Sequence, residues 1–200
     1  MLSVPLVQAL RRHGWTVALG AWFVGLSLLA AGMLARHTVA LPSVTDRAGP
    51  ALGTLRSPEE RGRWLSVHAL YAECSCSRLI SAHLLRSDRP AGYSEIILWA
   101  GDGDPDPELA RHGFRVIRVS RDALARYGIE SVPTLVALDP DDHVQYAGGY
   151  TPRAPGLDPE DERILAEARA TRASPLAPLP VFGCAISERL RRALALLPTP

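Results

Sequence analysis

Residues 14–35 form an apolar run unbroken by charge, GWTVALGAWFVGLSLLAAGMLA. No polar face recurs at helical spacing, so the run is not the one-sided stripe of a core helix. As a helix it is about 33 Å long, enough to cross roughly 30 Å of hydrocarbon. Trp15 stands near one end, where an amphipathic ring suits the membrane interface. The apolar core of a cleaved signal is shorter, roughly 7–15 residues, and ends at a small-x-small site. Met33, Leu34 and Arg36 make no such site, so the expectation is an uncleaved anchor over 14–35 behind a cytoplasmic segment 1–13. Residues 36–61 show no periodicity and carry Pro42, Gly49, Pro50, Gly53 and Pro58. That pattern predicts an extended tether.

From residue 62 the pattern alternates between short apolar runs and amphipathic stretches. Residues 64–71 (WLSVHALY) suit a buried strand, and 77–86 place Leu79, Ile80, His83 and Leu84 at helical spacing. Strands are predicted at 94–100, 114–119, 134–138 and 143–147, with short helices at 107–112 and 122–127 between them. Asp106 reads as an N-cap before Pro107, and Gly128 as a helix stop. Asp139-Pro-Asp-Asp is turn chemistry, so the last two strands form an antiparallel hairpin. An insertion at about 150–183 contains a helix over 158–170 with acidic residues in its first turn. A final helix runs over 187–197. The alternation predicts an α/β sheet with helices on both faces.

Composition narrows the reading. The chain has 200 residues, 47% hydrophobic and 22% charged, with a net charge of +1. This balance excludes a disordered chain and a strongly basic nucleic-acid-binding protein. All 22 basic residues are Arg, which excludes a lysine Schiff base and a P-loop lysine. No dinucleotide fingerprint and no Gly-x-Ser-x-Gly elbow occurs. Arg11, Arg12 and Arg36 are the only charged side chains in the first 36 residues, leaving a mildly acidic body. The arginine pair before the span predicts an inside N-terminus and a body outside the cytoplasm, in a bacterium the periplasm. That compartment permits disulfides.

Three cysteines carry the candidate chemistry. Cys74-Ser75-Cys76-Ser77 lies between the first strand and the first helix of the body. Free N–H groups and partial positive charge at a helix N-terminus stabilise a thiolate. Cys74 is therefore the expected attacking thiol, and the more exposed one, with Cys76 resolving the mixed disulfide. A bond closed over one intervening residue is strained and easily reduced. Cys184, just before the last helix, is a candidate third redox partner, or a small buried hydrophobe. The insertion helix is a candidate lid.

The stretch LYAECSCSRLI, the run Ile129-Glu-Ser-Val-Pro-Thr and the following hairpin resemble a thioredoxin fold over about 63–149. The anchor, tether and domain order are similar to membrane-anchored proteins of the TlpA and ResA type. The resemblance implies a thioredoxin-like α/β domain over 62–200 with a central mixed sheet. It also implies thiol–disulfide exchange on a protein substrate, with no bound cofactor. Pro133 would be the cis-proline beside the cysteines, with Val132 and Thr134 lining the substrate groove and the backbone of Val132 pairing with a substrate strand. Two departures stand out: Cys-x-Cys replaces Cys-x-x-Cys, and the family's buried proton-relaying carboxylate falls at Ala69 or His68. The implied location is the bacterial inner membrane, by a single span, with the soluble domain in the periplasm.

Two other classes remain open at this stage. Three thiols with a histidine, His143 or His83, have the donor set for Cu(I) or zinc, making the chain a metal chaperone. A domain that only binds a partner is the third. Asp102, Asp104 and Asp106 lack the glycine and distal glutamate of a calcium loop and read as a solvated turn.

Overall fold

The computed structural model describes residues 4–38, 41–42, 44, 48–153, 158–171 and 174–195. Helix α1 (Val4–Thr38) forms one compact unit, and residues 39–197 form another. Over Gly14–Ala31 the helix is long and apolar enough to cross a membrane, and none of that stretch is buried. Trp15, Trp22, Phe23, Leu28 and Leu29 stand exposed around it. Side chains apolar all round suit hydrocarbon rather than water.

In the second unit, β1 (Trp64–Tyr71) lies at the centre of a five-stranded sheet. On one side it pairs in parallel with β2 (Tyr93–Ala100), which pairs in parallel with the edge strand β3 (Arg115–Val119). On the other side it pairs antiparallel with β5 (Thr134–Leu138), which forms the expected hairpin with β6 (Val144–Gly148). Short helices α4 (Glu108–Arg111) and α5 (Arg121–Arg126) flank β3 in the chain. The Asp106 carboxylate accepts the Glu108 N–H at 2.9 Å, and Gly128 follows α5 at φ 80°. The Val132–Pro133 peptide is cis, immediately before β5. A mixed sheet in this order, with helices on both faces and a cis-proline leading into the antiparallel hairpin, is a thioredoxin-like fold.

Alternation along β1 divides the core. Trp64, His68 and Leu70 face one layer, with Ile80 and Leu84 of α3 (Ser75–Leu84) and Ile164, Leu165 and Ala168 of α6 (Asp161–Thr171). Leu65, Val67 and Ala69 face the other, with Leu124 of α5, Ile129, Val132 and Cys74. A strand buried on both sides reads as the near-continuous apolar run seen in the sequence.

Three expectations change here. The stretch 48–61 is not an extended tether: α2 (Ala48–Gly53) packs on the second face, with Ala48 and Leu52 fully buried, and a 3₁₀ turn (Pro58–Glu60) follows it. Arg56 ties it down, donating to Asp142 and to the Asp139 carbonyl, both at 2.6 Å. Glycine and proline at 49, 50 and 53 masked this amphipathic turn. The insertion helix α6 is not a lid over the cysteines, because its apolar stripe belongs to the layer opposite Cys74. Its Asp161 is held at 2.7 Å by His83 of α3. Finally, residues 184–185 form an unanticipated strand, β7 (Cys184–Ala185), paired with β4 (Ser131–Val132).

Candidate functional site

α3 begins at Ser75, two residues earlier than the sequence pattern indicates, so Cys74 is its N-cap and Cys76 lies in its first turn. The Cys74 N–H donates to the Tyr71 carbonyl at 3.0 Å, and its own carbonyl accepts the Arg78 N–H at 3.1 Å. Its Sγ therefore sits at the positive end of the helix, against the residue before the cis-proline: Sγ lies 3.9 Å from the Val132 carbonyl oxygen.

β7 brings the third cysteine to the same place. Cys184 stands opposite Val132 and Ala185 opposite Ser131 in an antiparallel pair. The Cys184 and Cys76 thiols beside it, as S–H donors, hold the Cys74 thiol well below its ordinary value of 9.0. Burial opposes this, while Ser77 in the first helical turn reinforces it. Ser77 is fully buried, and its hydroxyl has no hydrogen-bond partner. The same contacts push Cys76 and Cys184 up, since each donates to Cys74 and is partly desolvated. The balance favours a thiolate at Cys74 over one at Cys76 or Cys184.

Cys74 is 1% exposed, whereas Cys76 and Cys184 are half-buried. The expectation that Cys74 is the more exposed thiol is wrong: it lies in one buried cluster with Val132 and Ile186, and Cys184 packs against that cluster. The other residues singled out by sequence are also close. Pro133 is cis, Val132 is buried, and Thr134 is fully buried with its hydroxyl donating to the Ser131 carbonyl at 2.7 Å.

His68 does not join this cluster. It faces the opposite layer, hydrogen-bonded to the Tyr150 hydroxyl at 2.8 Å and facing a Glu95 carboxylate oxygen at 3.4 Å. Ser66 and Arg89 also donate to Glu95. Burial pushes the Glu95 carboxyl up, but His68 and Arg89 outweigh it and leave it below 4.5. This network satisfies polar groups inside the core. Neither position named for a proton relay offers one at the cysteines, since Ala69 carries no titratable group.

The histidines considered as metal ligands lie elsewhere. His83 is bound to Asp161, and His143 sits in the exposed turn after β5 beside Asp139. Among the described residues, the one group with ligand atoms all within 4.8 Å of one another is Asp139, Asp141 and His143. Asp139 there accepts the N–H groups of Asp141 and His143, both at 2.9 Å, which are ordinary turn contacts. The three sulfurs do not form such a mutually close set.

Sequence reasoning missed Gly183 and the Glu130–Arg189 pair. A Cβ on Gly183 would land inside the Val132 carbonyl oxygen and 2.7 Å from Pro133 Cδ. Gly-Cys within a proline-rich stretch was the available signal. The Glu130 carbonyl accepts the N–H of Ile186 at 2.7 Å, and its carboxylate pairs with Arg189 of α7 (Glu188–Ala195).

No protein-family model matches the chain, and no curated protein matches it significantly. Solved structures do. A hypothetical protein from Sinorhizobium meliloti matches at 18% identity and TM-score 0.52, over 74% of this chain and 96% of that one. An uncharacterized conserved protein from Geobacillus kaustophilus matches at 16% identity and TM-score 0.50, over 75% and 90%. The thioredoxin domain of a thiol-disulfide oxidoreductase from Bacteroides vulgatus overlays at 18% identity and TM-score 0.34, over 43% and 69%. The first two likenesses concern the fold alone. The thioredoxin-like assignment rests on the sheet order and the cis-proline rather than on the third.

Proposed function

We propose that the chain is a membrane-anchored thiol–disulfide exchange protein of the TlpA and ResA type, working outside the cytoplasm with Cys74 as its central sulfur. The observation that carries this reading is the place of Cys74 at the N-cap of α3, its Sγ 3.9 Å from the carbonyl oxygen of Val132, the residue before the cis-proline, with Cys184 paired opposite that same residue. A helix N-terminus and two S–H donors make a thiolate, and the thiolate is the nucleophile of disulfide exchange.

The balanced step is short. The Cys74 thiolate attacks one sulfur of a substrate disulfide, forming a mixed disulfide and expelling the second substrate sulfur as a thiolate. Cys184 or Cys76, losing its proton, then attacks the Cys74 sulfur and expels the first substrate sulfur. The substrate gains two electrons and the chain ends with one internal disulfide. Run in reverse, the same steps oxidise a dithiol. Cys74 is common to both internal bonds, so Cys74–Cys76 and Cys74–Cys184 exclude each other.

The test uses the full chain in detergent micelles with a peptide disulfide. A Cys76→Ser/Cys184→Ser double variant keeps only Cys74 and is expected to accumulate the mixed disulfide. Cys74→Ser is expected to accumulate none on Cys76 or Cys184. If the double variant reacts no faster than free cysteine, the exchange reading fails, and Cu(I) titration of the same sulfurs becomes the informative experiment.

A further inference from the structure

Cys74 is almost wholly buried, and the chain's own strand β7 lies on the Val132 edge beside its sulfur. That strand is held unevenly. At one end Val181 is buried and its carbonyl accepts the Leu41 N–H at 2.9 Å. At the other, Ile186 and Ser187 are buried and both donate to the Glu130 carbonyl. Between these anchors Phe182, Gly183, Cys184 and Ala185 are all partly exposed, and only two residues pair with β4. A short, half-exposed span between buried anchors has the makings of a local opening unit. The backbone of Val132 is the edge beside the Cys74 sulfur, and β7 occupies it.

We propose that residues 182–185 are a displaceable built-in substrate strand. A partner polypeptide reaches Cys74 by replacing them on the Ser131–Val132 edge, in extended form, with its reacting cysteine opposite Val132 and glycine immediately before it. The glycine requirement follows from Gly183, whose missing side chain leaves room for the Val132 carbonyl and Pro133. Main-chain pairing supplies the affinity, as in other strand additions to a sheet edge, and the glycine supplies selectivity. This inference rests on the exchange reading and names its substrate class and its gate.

The test uses the reduced full chain in micelles. In the unmodified chain, the amides of Cys184 and Ala185 are expected to exchange with deuterium about tenfold or more faster than those of Val67 and Ala69 in β1. Exchange at the same rate as β1 means that the strand opens only by global unfolding, and it overturns the proposal whatever any variant does. In Gly183→Val, alkylation of Cys74 by iodoacetamide is expected to rise about tenfold or more at unchanged secondary structure. An unchanged rate in that folded variant also overturns it. The Gly183→Val chain is then offered peptides of residues 180–188 carrying Cys184→Ser, with glycine or with Gly183→Val. The glycine peptide is expected to bind about tenfold or more tighter, and equal binding removes the glycine rule. None of these readouts needs turnover, so they can fail while the mixed-disulfide assay succeeds, and the reverse.

Discussion

Val132 and Cys184 face each other across an antiparallel backbone pair, and the Val132 carbonyl oxygen lies 3.9 Å from Cys74 Sγ. One residue thus touches both the sulfur at the helix start and the strand that brings a second sulfur to it. The cis-proline that follows Val132 and the glycine that precedes Cys184 sit against each other, so the two backbones meet closely here.

This arrangement fixes the pattern of disulfides under mild oxidation. Cys76→Ser is expected to form Cys74–Cys184, Cys184→Ser to form Cys74–Cys76, and Cys74→Ser to form neither. Non-reducing peptide mapping reads all three. A Cys76–Cys184 bond in Cys74→Ser, formed as fast as the other two, would remove Cys74 from the centre.

The cysteine cluster has a pH signature. The reduced native chain is expected to show one thiolate by ultraviolet absorbance well below pH 9.0, lost in Cys74→Ser, because the Cys74 thiol is held far below that value. Stability follows the difference in protons bound by the folded and unfolded chain. The Cys74 contribution to stability is full above pH 9.0 and is lost as pH falls toward its depressed native value. Cys76 and Cys184 are raised, so their contribution is full below 9.0 and is lost as pH climbs above it. Urea unfolding of the reduced chain across this range is expected to show a cysteine-dependent maximum near pH 9, absent from Cys74→Ser.

The buried network on the opposite layer belongs to stability. Glu95→Ala leaves Arg89, Ser66 and His68 without their shared acceptor. Removing one member of a buried ion pair costs about 3–5 kcal/mol. Urea unfolding is expected to show that loss, with the disulfide map of the folded fraction unchanged. A changed map would bring His68 into the redox chemistry after all.

Leu52→Ala tests the stretch read as a tether. Leu52 is fully buried between α2 and the sheet, so truncation is expected to cost about 2–5 kcal/mol. A mobile tether would show no loss.

The strands were legible because burial on both faces leaves a simple mark. WLSVHALY and TLVAL stand out as apolar runs, and β1 and β5 span those residues. The hairpin was legible through its aspartate turn, and Pro133 through its place before β5. Three features were hidden for physical reasons. α2 has six residues, among them two glycines and a proline, too few for a period to show. β7 is two residues long and gains its meaning only from the edge of β4, some fifty residues earlier in the chain. The exposure of Cys74 was misjudged because a helix start is ordinarily open, and here it is buried against Val132, nearly sixty residues later in the chain. The location of α6 followed from its acidic first turn, but not the layer in which Ile164, Leu165 and Ala168 are buried.

The most direct test of the account is a redox titration of the full chain in graded glutathione buffers, with the disulfides mapped at each point. The account predicts one reversible internal bond that always contains Cys74, with a midpoint within roughly −120 to −270 mV, the range of exchange proteins. Absence of any internal bond across that range, or a bond that leaves Cys74 reduced, would contradict it.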